Sequence, residues 1–329
     1  MTARYDVAAI GNAIVDVIAP ADDAFLGSEG LVKGSMMLID ETRAHDLYGR
    51  MAAGIETSGG SAGNTVAGVA SLGGRAAYLG KVADDQLGEV FAHDMRAMGV
   101  AFDAAPLTAG PATARCLINV TGDGQRTMCT FLGASTELTA DDVDPAVIEA
   151  SQILYLEGYL FDPSEARRAF AKAAAHARAA GRLIAITLSD AFVVERHRDA
   201  LLGFIEAQVD VVFGNEAELA SLFQSDDFDA SAERLARLTA IAAVTRGAAG
   251  SVVLAGNARH EVAAVPVEKI VDTTGAGDQY AAGFLFGLAR GRPLDHCGRL
   301  GSMAAAEVIS HYGPRPQASL RDLAAAAGL

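Results

Sequence analysis

The chain has 329 residues, 51% of them hydrophobic, enough to bury a large core and too many for a disordered segment. With 41 Asp and Glu against 26 Lys and Arg, its formal charge of −15 excludes a basic face for a nucleic-acid backbone. Any phosphate must then be held by backbone amides, a metal and a few local cations.

Short apolar runs alternate with helical patterns nearly throughout, which predicts an α/β fold with a mainly parallel sheet and helices on both faces. The first strand is expected at Val7–Ile10. It leads into GNAIVD, which sets Asn12 and Asp16 four apart on one face of an extended segment, a carboxylate and an amide suited to paired sugar hydroxyls. A solvated strand end explains the same letters. Ile14–Ile18 and Met36–Ile39 read as strands outside the main rhythm.

Next comes SGGSAGN, Ser58–Asn64, opening a helix at Ala62–Leu72. Gly59 and Gly60 let the backbone approach a ligand closely, and Asn64 can donate to and accept from hydroxyls. The plain alternative is a glycine-rich cap. A strand at Ala76–Leu79 and a helix at Gln86–Met98 follow. Ala114–Val120 and Arg126–Phe131 then read as two strands joined by the hairpin turn TGDG. Together with the two strands near Met36, they can form a small β-sheet lid, drawn from about residues 14–39 and 113–131. A lid matters in phosphoryl transfer because water competes as acceptor.

The second half continues with strands at Ile153–Leu156, Leu183–Thr187, Val209–Phe213 and Ile241–Thr245, and helices at Pro163–Ala180 and Ala217–Leu222. GNEAE, Gly214–Glu218, stands at the carboxyl end of a core strand, where open α/β sheets bind ligands. Asn215 and Glu218 are hard oxygen donors for Mg²⁺, directly or through its waters, and equally a helix cap with a first-turn acid. Thr245-Arg246-Gly247 after the next strand is either a nucleotide-phosphate contact or a turn.

The most informative stretch is VDTTGAGDQYAAG, Val271–Gly283. Thr274 precedes the Gly275-Ala276-Gly277 turn, and a helix at Ala276–Ala289 starts there with unpaired N–H groups and a positive dipole end, a nest for an anion. Asp278 repels an anion but is suited to take a proton from an attacking hydroxyl. As an isolated motif it is also explained by a turn with an N-cap. No Walker loop exists, and His197-Arg198-Asp199 lacks the Asn and DFG that a protein-kinase catalytic loop needs. The seven His form no ligand pattern, and His311 in HYGPRP reads as loop. The three cysteines, Cys116, Cys129 and Cys297, are odd in number and widely spaced, which fits a reducing, cytoplasmic setting. The longest uncharged stretch, Thr57 to Gly74, is broken by Gly, Ser and Asn, so neither a membrane span nor a signal peptide is expected.

Taken in order, GN…D, GGSAGN, GNEAE, TRG and DTTGAGD resemble the PfkB (ribokinase-like) carbohydrate-kinase family over essentially the whole chain. The resemblance implies a single three-layer α/β/α domain of about nine core strands with a β-sheet lid, ATP as donor and Mg²⁺ as helper. It places the anion hole on Gly275, Ala276 and Gly277, the general base on Asp278 and the NxxE motif on Asn215 and Glu218. Within the family the likeness is to adenosine kinases. GNAIVDVIAPADDAFL resembles their GNPLLD opening, which carries ribose binding onto Asn12 and Asp16, and TLSDAF with VDVVFGNEAE resembles their NLSAPF and VDILFGNE segments. Their phosphate-contacting lid arginine matches Arg126 in GDGQR, and their purine-stacking aromatic matches Tyr159 or a neighbour in EGYLF. Two departures stand out: ADDQLG has Ala83 where the family has Gly, and HYGPRPQ differs from the usual adenosine-kinase loop at the adenine pocket for ATP. The resemblance also implies a monovalent cation such as K⁺ near Asp272.

The expected activity is transfer of the ATP γ-phosphate to the 5′-hydroxyl of adenosine, in a monomer or homodimer with small-molecule partners. Asp278 acts as base, with Gly275–Gly277 and Arg126 stabilising charge. Asn12, Asp16, Gly59, Gly60 and Asn64 bind the sugar, with Met36 or Met37 and Tyr159 or Phe161 against the base. Asn215, Thr245, Arg246, Gly247 and Thr274 serve ATP. A ribokinase- or fructokinase-type sugar kinase is the near alternative, favoured by a polar lid pocket. A noncatalytic nucleotide sensor has no use for Asp278, and a nicotinamide-dependent dehydrogenase would need a strand–GxGxxG–helix fingerprint that is missing.

Overall fold

The computed structural model describes residues 3–162 and 164–329, and Pro163, where the sequence starts a helix, lies outside them. In chain order the strands are β1 (Tyr5–Ile10), β2 (Ile14–Pro20), β3 (Met36–Leu38), β4 (Ile55–Ser58), β5 (Ala76–Leu79), β6 (Ala114–Val120) and β7 (Arg126–Phe131). They continue with β8 (Ser151–Glu157), β9 (Leu183–Thr187), β10 (Val211–Asn215), β11 (Ile241–Thr245), β12 (Ser251–Ala255) and β13 (Ala258–Val262). Eight form one sheet in the order β13-β12-β11-β10-β9-β8-β1-β5, and five form a second in the order β3-β7-β6-β2-β4.

β1 shows why the large sheet has helices on both faces. All six of its residues are buried. Ala8 and Ile10 enter one core cluster, which packs against helices Ser164–Ala179, Ala191–Gln208 and Glu216–Phe223. Val7 and Ala9 enter the opposite cluster, with helices Ser61–Ser71, Gln86–Ala97 and Ala276–Ala289. Alternation at period two thus feeds two apolar layers from one strand. From β5 through β11 the neighbouring core strands pair in parallel, while β12 and β13 add an antiparallel edge. The core therefore has eight strands, and its β12–β13 hairpin, turned at Gly256-Asn257, was not anticipated from the sequence.

The second sheet contains the four strands expected of a lid plus β4, whose polar Ile55–Ser58 run gave no apolar signal. Registers divide its two faces. Met37, Cys129, Leu117 and Val17 lie in one row and pack with Leu26 and Leu47 into a small cluster of their own. Met37 is therefore core of the lid, and the expectation that it faces a ligand is corrected. The adjacent rows, Met36–Met128–Ile118–Ile18 and Leu38–Thr130–Cys116–Asp16, occupy the opposite face. No helix among the described residues is long and apolar enough to cross a membrane.

Candidate active site

The parallel strands end along one edge, and the loops that follow them carry most of the motif residues. Gly11 and Asn12 follow β1, Glu157 ends β8, Asn215 ends β10 and Thr245 ends β11. The order in which strands are added reverses about β1, which has β5 on one side and β8 on the other, all three parallel, and such a switch point leaves a crevice at the carboxyl ends of the strands.

Helix Ala276–Ala289 points its N-terminus into this crevice, with Gly275 as the residue before it at φ 77° and no side chain capping it. Glycine is required there twice over. The left-handed backbone disfavours any Cβ, and a Cβ would come within 2.6 Å of the Pro314 side chain. Gly277, two residues on, faces open space. The Ala276 N–H is taken by the Thr273 carbonyl at 3.2 Å, while no side chain caps the Gly277 and Asp278 amides, which are left to an anion.

Asp278 sits in that first turn. Its Oδ1 accepts from the Ser61 hydroxyl at 2.6 Å and its Oδ2 from the Asn64 amide at 3.0 Å. Burial pushes its carboxyl up to about 6, against the opposing pull of those two bonds and of the Arg315 charge. A carboxylate so placed is ionised at neutral pH yet remains a usable base. Asp16, buried across the crevice on β2, is likewise raised by burial to about 6, with Arg315 and Arg126 pulling it down and Asp278 pushing it up. The loop Gly59-Gly60 runs against Asp16. Gly60 adopts φ 82° and touches the Asn12 carbonyl so closely that no Cβ fits. Asn12, Asp16, Gly59, Gly60, Asn64 and Asp278 are therefore brought together, as the sequence suggests.

Two participants went unrecognised. Glu157 is 1% exposed and accepts from the Asn12 amide at 2.9 Å and from the Ala62 N–H at 2.8 Å, locking the first loop to the start of helix Ser61–Ser71. Burial raises it to about 7. Arg315, in the loop after the last long helix, donates through Nε to Asn64 Oδ1 at 2.8 Å. Neither carries a local motif; each acts across more than a hundred residues of sequence.

The remaining residues are more dispersed. Arg126 pairs with Asp272 at 2.7 Å, lies 3.4 Å from the Thr274 hydroxyl and sits over the Tyr312 ring, so the lid is tied to the loop that opens the anion nest. Asp272 also accepts from the Thr274 N–H and hydroxyl and from the Gly313 N–H. Asn215 and Glu218 form a reciprocal capping box, and burial raises Glu218 to about 7. Thr245 reaches the Gly214 carbonyl at 3.4 Å, whereas Arg246 turns to Glu216 and the Phe228 ring, and Gly247 starts a single 3-10 turn. Tyr159 donates to the Ser189 carbonyl at 3.4 Å, and its phenol faces the carboxylates of Asp190, Glu157, Asp278 and Glu218. Phe161 is buried among Phe170 and Phe204 and belongs to the core. Met36 and Leu38, 52% and 61% exposed, leave an apolar row open on the Asp16 face of the lid. All three cysteines are free and buried.

The profile of the pfkB family carbohydrate kinases matches residues 6–320. The crystal structure of adenosine kinase from Sinorhizobium meliloti is 54% identical, covers 99% of this chain and 100% of its own, and superposes with a TM-score of 0.92. That of a probable sugar kinase protein from Rhizobium etli is 49% identical over 99% of each chain, with a TM-score of 0.93. In sequence, adenosine kinase of Saccharomyces cerevisiae is 28% identical over 93% of this chain and 95% of its own.

Proposed function

We propose that this chain, which belongs to the pfkB family of carbohydrate kinases, transfers the γ-phosphate of ATP to the 5′-hydroxyl of adenosine, with Asp278 as general base. The observation that carries the reading is the pairing of a half-buried, elevated carboxylate with the uncapped helix end that it adjoins. Asp278 takes the 5′-hydroxyl proton, the alkoxide oxygen bonds to the γ-phosphorus, and the bond from that phosphorus to the β–γ bridging oxygen breaks to release ADP. Charge on the transferring group is met by the Gly275 and Gly277 amides of the Gly275-Ala276-Gly277 turn, the Ala276 N–H being held by Thr273, and by Arg126 beside Thr274. Asn12 and Asp16 hold the ribose hydroxyls, and closure of the lid excludes water.

Mg²⁺ would neutralise phosphate charge during the transfer. Among the described residues, no three His, Cys, Asp or Glu are grouped to cage a metal. The hard oxygens of Glu218 and Asn215 suit an ion carried chiefly by phosphates and water, which they would meet through that water. A K⁺ ion does not fit at Asp272, whose oxygens already serve Thr274, Gly313 and the Arg126 guanidinium.

The likeness to a probable sugar kinase keeps a sugar acceptor as a second reading. The exposed apolar side chains of Met36 and Leu38, with Met128 beside them on the same face, favour a flat base over a free sugar, since a sugar cannot use that surface. Adenosine, other nucleosides, ribose and fructose should be offered with ATP and Mg²⁺. Adenosine is expected to show a KM far below that of ribose. Efficient turnover of a free sugar with indifference to adenosine would install the second reading.

A further inference from the structure

We propose that Arg315 is a positioning residue: it fixes which way the Asn64 amide faces, and thereby aims the Asn64 N–H₂ at the Asp278 carboxylate that receives the proton. The proposal rests on Asp278 being the base, as argued above.

An amide can rotate by half a turn and exchange its oxygen for its nitrogen. At Asn64 only one orientation satisfies both neighbours. Arg315 has donors alone, so Nε takes Asn64 Oδ1 at 2.8 Å, and the Nδ2 group is left to donate to Asp278 Oδ2 at 3.0 Å. The reversed amide would set nitrogen against guanidinium and oxygen against carboxylate, losing both bonds.

The guanidinium is itself held firmly. Arg315 is flanked in sequence by Pro314 and Pro316, its Nη1 reaches Met98 Sδ at 3.1 Å, and its Nη2 is buried beside Gly63. Gln279, 0% exposed, donates to both the Pro314 and the Asn64 carbonyls at 3.0 Å, clamping this loop to helix Ser61–Ser71. Glu307 accepts from the Gln317 and Ala318 N–H groups at 2.9 and 2.8 Å, and Asp272 from Gly313 at 3.0 Å, which pins the loop on either side.

Arg315 also contributes charge. The groups turned toward Asp278 are Ser61 and Asn64 from helix Ser61–Ser71, Asp16 from β2, Tyr155 and Glu157 from β8, Tyr159 just beyond it, and Glu218 from the next helix over. Against these acids and phenols the cation that pulls Asp278 down is Arg315; Asp94 faces Arg315 from behind, and Arg126 bears on Asp16. Burial in turn draws Arg315 down to about 10, so it stays charged throughout the working range.

The test compares Arg315→Gln and Arg315→Lys with the wild-type enzyme in pH profiles of kcat/KM. Arg315→Gln removes the charge, so Asp278 should hold its proton to higher pH, and the acid limb should move up by about one pH unit. Maximal kcat should fall about tenfold or more while KM for ATP stays put. Arg315→Lys keeps the charge without the fixed Nε donor, so the limb should stay near its wild-type position with kcat still reduced. In an Asn64→Ala background, Arg315→Gln should lower kcat much less than it does alone. Carboxyl ¹³C NMR of the unliganded protein, with Asp278 identified by its loss in Asp278→Asn, reads the same shift without turnover. A kcat loss on Arg315→Gln as large in the Asn64→Ala background as in the wild type, or no kcat loss in folded Arg315→Gln, overturns the proposal. Full activity of Asp278→Asn would instead overturn the assignment of the base.

Discussion

Two helices begin at the same edge of the same sheet, each with an acid in its first turn, and they treat their free N–H groups in opposite ways. Helix Glu216–Phe223 closes its end with the Asn215–Glu218 capping box, each side chain serving the other's backbone. Helix Ala276–Ala289 has no such cap, and its acid, Asp278, is turned away to Ser61 and Asn64. A cap is worth about 1 kcal/mol to a helix. The second helix forgoes it, and its N-terminal dipole remains available to a ligand. Both acids are raised by burial, Asp278 to about 6 and Glu218 to about 7, so elevation alone does not separate them. What separates them is whether the neighbouring amides are already spent.

The sharpest break of this contrast is Asp278→Asn. Turnover should fall by about 10²–10⁴ with ATP affinity little changed, in single-turnover and binding measurements. The same variant should be more stable than wild type at pH 8. A carboxyl raised from 3.8 to about 6 favours the fold fully below pH 4 and loses that benefit as pH passes 6, leaving an ionised group that burial penalises. Urea unfolding should show a gain of about 1–3 kcal/mol at pH 8 that vanishes near pH 4. Near-wild-type turnover removes Asp278 from the mechanism.

Next in size, Gly275→Ala and Gly277→Ala separate shape from access. At Gly275 the left-handed backbone and the contact with Pro314 should cost about 1–3 kcal/mol in denaturant unfolding. At Gly277 a methyl meets nothing within 4 Å, so stability should hold while kcat falls, because the methyl intrudes where phosphate approaches. Equal stability losses at the two positions would mean the helix end is not open.

The smallest effect is expected at the capped helix. Glu218→Gln should raise the Mg²⁺ concentration for half-maximal activity severalfold, change stability by no more than about 1 kcal/mol, and leave acceptor KM unaltered. A shift in acceptor KM with an unchanged Mg²⁺ profile would place Glu218 in another site.

The sequence displays the contrast only in part. β5, β9, β11, β6 and β7 have the bounds that their apolar runs predict, because buried strands must be apolar wherever they lie. β12 and β13 were missed although Gly256-Asn257 between two short runs is a hairpin signal. Asn12, Asn64 and Asp278 stand out because each follows a glycine, and Asp16 because it lies four residues from Asn12 on one face of an extended segment. Glu157 and Arg315 do not, since the first looks like an ordinary strand end and the second like a loop cation. Their parts emerge from contacts spanning 145 and 251 residues, which no local pattern encodes. GNEAE was legible as letters but not as a choice, because a cap and a ligand pair use the same residues.

The long span from Asn64 to Arg315 has a consequence for synthesis. A ribosome adding about 5–20 residues per second needs about 10–50 s to pass from one to the other. For most of that interval Asn12, Asp16 and Asn64 have been made, but the proposed base 217 residues beyond Ser61 has not, and the guanidinium comes only at its end. β1 must also wait for β8 before its second edge is covered. A nascent chain thus carries the residues proposed for the sugar long before the proposed base is made beside them. On the proposed reading, phosphoryl transfer awaits the last segments, and a chain ended before Arg315 would lack a contact that the Asn64 amide depends on.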